Sequence, residues 1–122
     1  MITTLKTKKA ELDLNTDQRG WCQLQLHIED QILQLGADKK DVVVRRLSHA
    51  LEDVLEGSPT RSIQGTGVTW VLSLSERHSS IYVAQCDESR VLFFQGEDGS
   101  LLARVELVSN ERRSWFSALQ RA

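Results

Sequence analysis

Histidine and cysteine are the residues of this sequence with the greatest capacity for chemistry, because they bind metal ions, transfer protons or attack electrophiles. Three histidines (His27, His49 and His78) and two cysteines (Cys22 and Cys86) are present. None of them stands in an HxxxH or CxxC spacing, which are the patterns typical of zinc ligands. The sequence therefore predicts neither a metal site nor a cofactor.

Other patterns with catalytic potential are incomplete. His49 lies four residues before Asp53, so one helical turn could bring a carboxylate to the imidazole. On a solvated helix this spacing is more typical of a surface contact than of a catalytic dyad. The Gly65-Thr66-Gly67 segment resembles the start of a dinucleotide-binding loop, but Trp70 occupies the place of the third glycine. No catalytic residue is predicted, and a protein without enzymatic activity is favoured.

Binding is better supported by the residue types than catalysis is. Aromatic side chains on strands can stack on unpaired nucleic-acid bases, and basic side chains can contact the phosphates. The aromatic residues predicted for such a sheet face are Trp70, Tyr82, Phe93 and Phe94. The basic residues are Lys6, Lys8, Lys9, Lys39, Lys40, Arg112 and Arg113. Ordinary core packing is the alternative interpretation of the four aromatic residues.

The elements that would position these side chains are clearest in the last third of the chain. Alternating apolar and polar residues predict an antiparallel meander, because side chains of a strand point to opposite faces in turn. The Asp98-Gly99 pair is typical of a tight hairpin, and Ser109 is predicted as the N-cap of a closing helix. The predicted strands lie near 66–75, 80–86, 90–95 and 101–108, and the helix spans 110–121.

The first half contains one well-defined helix and one ambiguous region. Apolar residues three and four apart predict a long helix over 38–56, with Asp38 as its cap just after Gly36. Residues 10–35 alternate as strands do, yet a helix from Asp17 to Leu35 also fits. A polar turn over 15–20 divides the region, and strands are favoured because the alternation of glutamine and leucine after that turn is unbroken and Gly20 inside a helix would cost about 1 kcal/mol.

The whole chain is predicted to be a single α+β domain over residues 1–122. With strands in 10–35 it has eight strands and two helices, arranged as a ββββα unit that occurs over 1–57 and again over 66–122. With a helix there, it has four or five strands and three helices.

Composition indicates an ordinary globular protein of the cytoplasm. The formal net charge is −2, so no global positive field attracts nucleic acid or anionic lipid. No apolar run approaches the roughly 20 residues of a membrane span, and the lysines of the N-terminus precede no apolar segment of a signal peptide. The two widely separated cysteines are expected to be reduced thiols.

The order of predicted elements, four strands and a helix followed by the same unit again, resembles the Whirly type of single-stranded nucleic-acid-binding fold. The resemblance covers most of the chain and concerns topology only. The lysine-rich strand motif of Whirly proteins has no counterpart among these strands. The resemblance implies a partner class, single-stranded nucleic acid, and the aromatic and basic residues named above as its binding residues.

The strands of the second half are apolar on both faces, whereas an antiparallel sheet with one face in water should be polar there. Either helices of the same chain or a second copy must cover both faces. The sequence therefore favours a small protein that acts by protein–protein interaction as a homodimer. The alternative is a single-stranded nucleic-acid-binding or regulatory module, and a small-ligand pocket between sheet and helix is a weaker third hypothesis.

Overall fold

A computed structural model describes residues 1–52, 61–63, 66–68, 70–76, 79–86 and 89–122. The ambiguous first region forms strands, as predicted. The first four strands are β1 (Ile2–Lys6), β2 (Ala10–Thr16), β3 (Trp21–Ile28) and β4 (Gln31–Lys39). They pair antiparallel in chain order. The strand alternation thus outweighs the helical spacing, because it places a continuous set of leucines on one face of the sheet.

The turn between β2 and β3 is stabilised by a side chain, that of Asp17. This turn explains why the alternative helix over residues 17–35 does not form. Asp17 accepts hydrogen bonds from the backbone N–H groups of Arg19 at 2.8 Å and Trp21 at 3.0 Å. Asp side chains favour turns over helix interiors because they compete for nearby backbone donors. The Trp21 backbone hydrogen bond is the main reason that the pKa of Asp17 is lowered.

The first helix, α1 (Lys40–Glu52), begins at Lys40 and not at the predicted residue 38. The expected cap, Asp38, lies within β4 and its carboxylate accepts a hydrogen bond from the neighbouring Lys39 N–H. Gly36 does not end an element: it has a φ of 107° inside β4, next to a register shift against β3. A glycine bulge thus extends the strand where the sequence indicated a boundary. The predicted helix end at Glu56 lies outside the described residues.

The second half forms the predicted meander of β7 (Trp70–Ser73), β8 (Ser80–Cys86), β9 (Ser89–Gln95) and β10 (Leu101–Leu107), followed by α2 (Ser109–Arg121). The predicted strand over 66–75 is two strands. Its first part, β6 (Thr66–Val68), pairs instead with β5 (Arg61–Ile63) in a separate hairpin.

The turns of this half agree with the sequence except at the helix start. Gly99 has a φ of 84° and its N–H donates to the Gly96 carbonyl, as the predicted tight hairpin requires. The N-cap of α2 is Val108 and not Ser109, which is the first helical residue. Valine has no side-chain acceptor, so the capping contact is the one from Val108 N–H to the Glu111 carboxylate at 3.2 Å.

The two four-stranded sheets enclose one apolar core, closed at its sides by the two helices. The helices contact each other, and each also contacts the first strand of the opposite sheet, α1 with β7 and α2 with β1. The order of four strands and a helix therefore occurs twice around a shared core. Neither described helix is both long enough and apolar enough to cross a membrane.

A buried arginine connects α1 with the second sheet. Arg90 of β9 is 3% exposed, and its Nε–H donates to the Ala50 carbonyl at 3.2 Å. Ala50 lies toward the C-terminal side of α1, where the helix dipole makes a positive charge favourable. The arginine therefore holds the C-terminal side of the first helix over the second sheet.

The two faces of the second sheet are both covered within the chain. The inner face carries Leu92 and Phe94 and faces the shared core. The outer face carries Tyr82 and Phe93, and Val68 of β6 packs against them. Phe93 and Phe94, predicted together on one aromatic face, therefore lie on opposite faces of the sheet, because successive residues of a strand alternate. The β5–β6 hairpin, which was not predicted, supplies part of the cover.

The contact between Trp115 and β1 should contribute several times as much to the free energy of unfolding as an average side chain does. Trp115 is fully buried, and its indole N–H donates to the Lys6 carbonyl at 2.8 Å. Trp115→Phe removes this donor and leaves a small cavity, so the free energy of unfolding should fall by about 2–4 kcal/mol. Urea denaturation measures the loss.

The neighbouring Phe116 provides the matched control, because it is only half-buried. Phe116→Leu should cost about 1 kcal/mol or less. Equal losses for the two variants would show that Trp115 makes no special contribution.

Candidate interaction surface at the free edge of the second sheet

The last strand of the second sheet has one unpaired edge. β10 is the terminal strand in the order β10-β9-β8-β7, and within the described ranges it pairs only with β9. An edge strand presents N–H and C=O groups that can pair with another chain. This edge is therefore a candidate interaction surface.

The side chains of β10 alternate strictly. Ala103, Val105 and Leu107 are buried toward the core, whereas Arg104 and Glu106 are exposed on the outer face. The Ser89 hydroxyl donates to the Glu106 carboxylate at 3.3 Å and so restrains it. The exposed side of the strand thus presents one positive and one negative charge, two residues apart.

Two large apolar side chains bracket these charges. Leu102 is 38% exposed and Val108 is 47% exposed, and both are among the few large apolar residues that this structure leaves in water. A register shift against β9 between Leu101 and Ala103 marks a bulge at the start of the strand. The regular part of β10 is therefore Ala103–Leu107.

A groove of about 610 Å³ runs beside β10. Its far wall is made by the β1–β2 turn and by Ile28 and Glu29 at the end of β3. The Lys8 N–H donates to the Glu111 carboxylate at 3.0 Å, which ties this turn to the start of α2. The ends of both sheets therefore meet at the groove, and its wall is held in place by the capping residue of the last helix.

The charges of the groove are mixed and balanced. The basic side chains that line it are Lys8, Lys9 and Arg104, and the acidic ones are Glu29, Glu106 and Glu111. A polyanion would find as many repulsive as attractive groups here. A surface that carries both positive and negative side chains is better matched to another surface of mixed charge.

A second groove, of about 730 Å³, lies between the two helices. Phe116, Val44 and Leu119 form its apolar part, and Lys40 and Arg45 are among the charged residues of its rim. An adjoining cavity of about 300 Å³ shares Glu52 and Phe116 with it. The described residues that line these cavities form no constellation typical of catalysis.

The outer face of the first sheet contains a hydrogen-bonded pair that sequence reasoning missed. His27 Nε2 lies 3.0 Å from the Asp13 carboxylate, and both side chains are partly exposed. The Thr4 hydroxyl donates to the same carboxylate at 3.0 Å. The hydroxyl therefore contacts the acid and not the imidazole, which is not the order of a nucleophile, base and orienting acid. The three side chains form a cross-strand polar network.

The predicted aromatic residues do not form one exposed face. Tyr82 and Phe93 are directly paired on the outer face of the second sheet, at 7% and 1% exposure. Phe94 faces the shared core and is fully buried. The backbone of Trp70 pairs with Val83, and its side chain lies outside the described residues. Among these residues, the structure places the three described rings in packing roles.

The predicted basic residues are distributed over several surfaces. Lys8 and Lys9 line the groove beside β10, whereas Lys6 is on the outer face of the first sheet, 3.6 Å from Glu11. Lys39 ends β4 and is exposed. Lys40 lines the groove between the helices, and Arg112 and Arg113 line the adjoining cavity.

The residues that sequence reasoning overlooked are Arg104, Glu106, Asp13 and Arg90. The alternation of opposite charges on a predicted strand, Arg104-x-Glu106, is the signal that could have indicated the edge. No such signal exists for Asp13 and His27, because only the pairing of β2 with β3 brings them together.

The chain has no match among protein-family profiles, and no curated protein or solved structure matches it significantly. Within the residues that the structure describes, no group of three His, Cys, Asp or Glu side chains comes close enough to bind a metal.

The two cysteines should differ sharply in reactivity. Both are free, Cys22 is buried and Cys86 is exposed. Burial raises the pKa of the Cys22 thiol, against weaker opposing contributions from Thr16 and Lys40. Because the thiolate is the reactive form, Cys22 reacts slowly at neutral pH. A colourimetric thiol reagent should therefore label one cysteine per native chain and the second only after denaturation.

The Cys86→Ser variant should lose the rapid labelling of the native protein, whereas the Cys22→Ser variant should keep it. Rapid labelling of both thiols in the native protein, or no additional labelling after denaturation, would contradict this assignment.

Proposed function

We propose that this chain is a non-enzymatic interaction protein that works as a homodimer. The observation that carries the proposal is the edge of β10, unpaired among the described strands, bracketed by exposed Leu102 and Val108 and adjoining a groove of mixed charge. Natural edge strands are usually shortened, charged or covered, because an open edge is a template for pairing. This edge is charged at Arg104 and Glu106 but keeps exposed apolar residues at both ends, a pattern that supports pairing with a strand of complementary charge.

The distribution of polar groups supports binding over catalysis. His27 and Asp13 are the one close His–Asp pair of the described residues, and they lie on the face of a sheet. The neighbouring Thr4 hydroxyl contacts the aspartate and not the histidine, so this hydroxyl is not placed as a nucleophile that the imidazole could activate. The free cysteines support the cytoplasm as the site of action, because reducing compartments preserve thiols.

The first experiment is the molar mass in solution. Analytical ultracentrifugation over a wide concentration range should show a species of about twice the chain mass of 13.8 kDa. The dimer fraction should increase with concentration by mass action. A strict monomer up to about 100 μM, the weak end of specific association, would contradict the proposal.

Single-stranded nucleic acid remains the second predicted partner class. Its support would be an aromatic surface with clustered positive charge, yet Tyr82, Phe93 and Phe94 are buried. Under the homodimer proposal, a fluorescent single-stranded oligonucleotide should show no saturable binding at low salt. Saturable binding that weakens steeply as salt rises would replace the proposal, because released counterions produce that slope. The Lys8→Ala and Lys40→Ala variants would then identify which groove binds the oligonucleotide.

A further inference from the structure

We infer that the edge of β10 pairs antiparallel with β10 of a second copy of this chain, about a twofold axis that passes through Val105. The inference rests on the proposed function and specifies its interface. Pairing of two edges would join the two second sheets into one continuous sheet across the dimer.

The position of the axis follows first from the regular part of the strand. Ala103–Leu107 is free of irregularity, whereas the bulge at Leu101 and Leu102 interrupts the pairing before it. After Leu107 the chain turns into α2. Val105 is the central residue of the regular segment, so an axis there uses the whole segment in both copies.

The charges select the same axis. In antiparallel strands, residues directly opposite each other lie on the same face of the sheet. With the axis at Val105, Arg104 stands opposite the partner's Glu106, and by symmetry Glu106 stands opposite the partner's Arg104. Both side chains are exposed on the outer face, where such a pair can form without burial of a charge.

The apolar residues that bracket the charges also become partners in this register. Leu102 and the partner's Val108 lie next to each other just beyond each end of the paired segment, and these two side chains are 38% and 47% exposed in the single chain. Burial of exposed apolar surface favours association. The strand is thus complementary to itself in both charge and hydrophobicity.

Neighbouring registers lose this complementarity. An axis at Arg104 places two arginines opposite each other, and an axis at Glu106 places two glutamates opposite each other. An axis at Ala103 puts Leu102 opposite the partner's Arg104. Like charges directly opposite on a sheet are destabilising, so the register at Val105 is the one that the residues favour.

The groove beside β10 suits a copy of this chain as well. Its balanced set of three basic and three acidic side chains (Lys8, Lys9, Arg104 against Glu29, Glu106, Glu111) does not select a strongly charged partner of either sign. A twofold axis brings each part of such a surface against a different part of the same surface. The bulge at Leu101 and Leu102 ends the pairing at one side, and α2 ends it at the other, so the dimer is closed.

The test exchanges the two charges. Arg104→Glu alone brings the new glutamate opposite the partner's Glu106, and Glu106→Arg alone places two arginines opposite each other. Each single variant should raise the dimer dissociation constant by about tenfold to a hundredfold, from two lost pairs and two new repulsions. The double variant Arg104→Glu/Glu106→Arg restores both pairs and should dimerise like the wild type.

Mixing the two single variants is the most discriminating experiment. One chain then carries two glutamates and the other two arginines, so both cross-strand pairs are favourable in the mixed dimer. Native mass spectrometry should show the mixed dimer in excess over either homodimer. Arg113→Glu and Glu52→Arg, at exposed positions on the two helices, change the net charge equally and serve as controls. Far-ultraviolet circular dichroism verifies that each variant is folded.

The outcomes separate the inference from the proposed function. A monomeric wild type would overturn both. A dimeric wild type whose affinity is unchanged in both single variants would leave the homodimer standing and overturn this interface. Loss of dimerisation in the single variants, without recovery in the double variant or in the mixture, would overturn the register at Val105.

Discussion

The structure depends on a contact between its last helix and its first strand. The indole N–H of Trp115 donates to the Lys6 carbonyl at 2.8 Å, across 109 residues of sequence. The buried ring holds α2 against the edge of the first sheet, although α2 follows directly from the second sheet. α1 makes the reciprocal connection to β7, and Arg90 reaches from β9 to its C-terminal side. Each helix thereby contacts both sheets, which joins the two sheets in one core.

The two sheets differ in what their outer faces require. The outer face of the first sheet carries the polar network of Thr4, Asp13 and His27 across three strands, beside the exposed side chains of Ile2 and Ile32. The outer face of the second sheet is apolar at Tyr82, Ala84, Val91 and Phe93 and needs cover there, which Val68 of the β5–β6 hairpin contributes. The cover acts on the face of the sheet, and among the described strands it leaves the edge at β10 unpaired. For this reason the edge, and not the face, is the surface on which association is expected.

The chemistry of the chain is consistent with that view. Some charged groups of the described residues form pairs near the surface, such as Lys6 with Glu11 and Asp13 with His27. Exposed pairs of this kind contribute little stability, typically about 0–1 kcal/mol each. Their value lies in specificity, because like charges brought opposite each other exclude wrong registers and wrong partners. Arg104 and Glu106 have this role in the interface inferred for β10.

Local patterns in the sequence determined most of the elements. The alternation over residues 10–14 and 22–28 and over the second meander predicted strands, because period-two patterns bury one face of a sheet. Gly99 required a turn, and the apolar stripe of residues 115, 116 and 119 required a helix. The topology of four strands and a helix, repeated, followed from these elements alone. The errors lie at boundaries, where Gly36 acts as a bulge and Val108 acts as a cap, and in the β5–β6 hairpin, which was predicted as part of one strand over 66–75.

Tertiary structure alone decided which faces and edges meet. Phe93 and Phe94 have the same residue type and adjacent positions, and only the register with β8 tells which one faces the shared core. The pair of Asp13 with His27, the burial of Arg90 and the cover by Val68 likewise depend on contacts between segments far apart in the chain. The same holds for the free edge of β10, because a strand's own sequence does not state how many neighbours it has. The residues adjacent in sequence determine the secondary structure of a segment. The other segments that it contacts are determined by the packing of the whole chain.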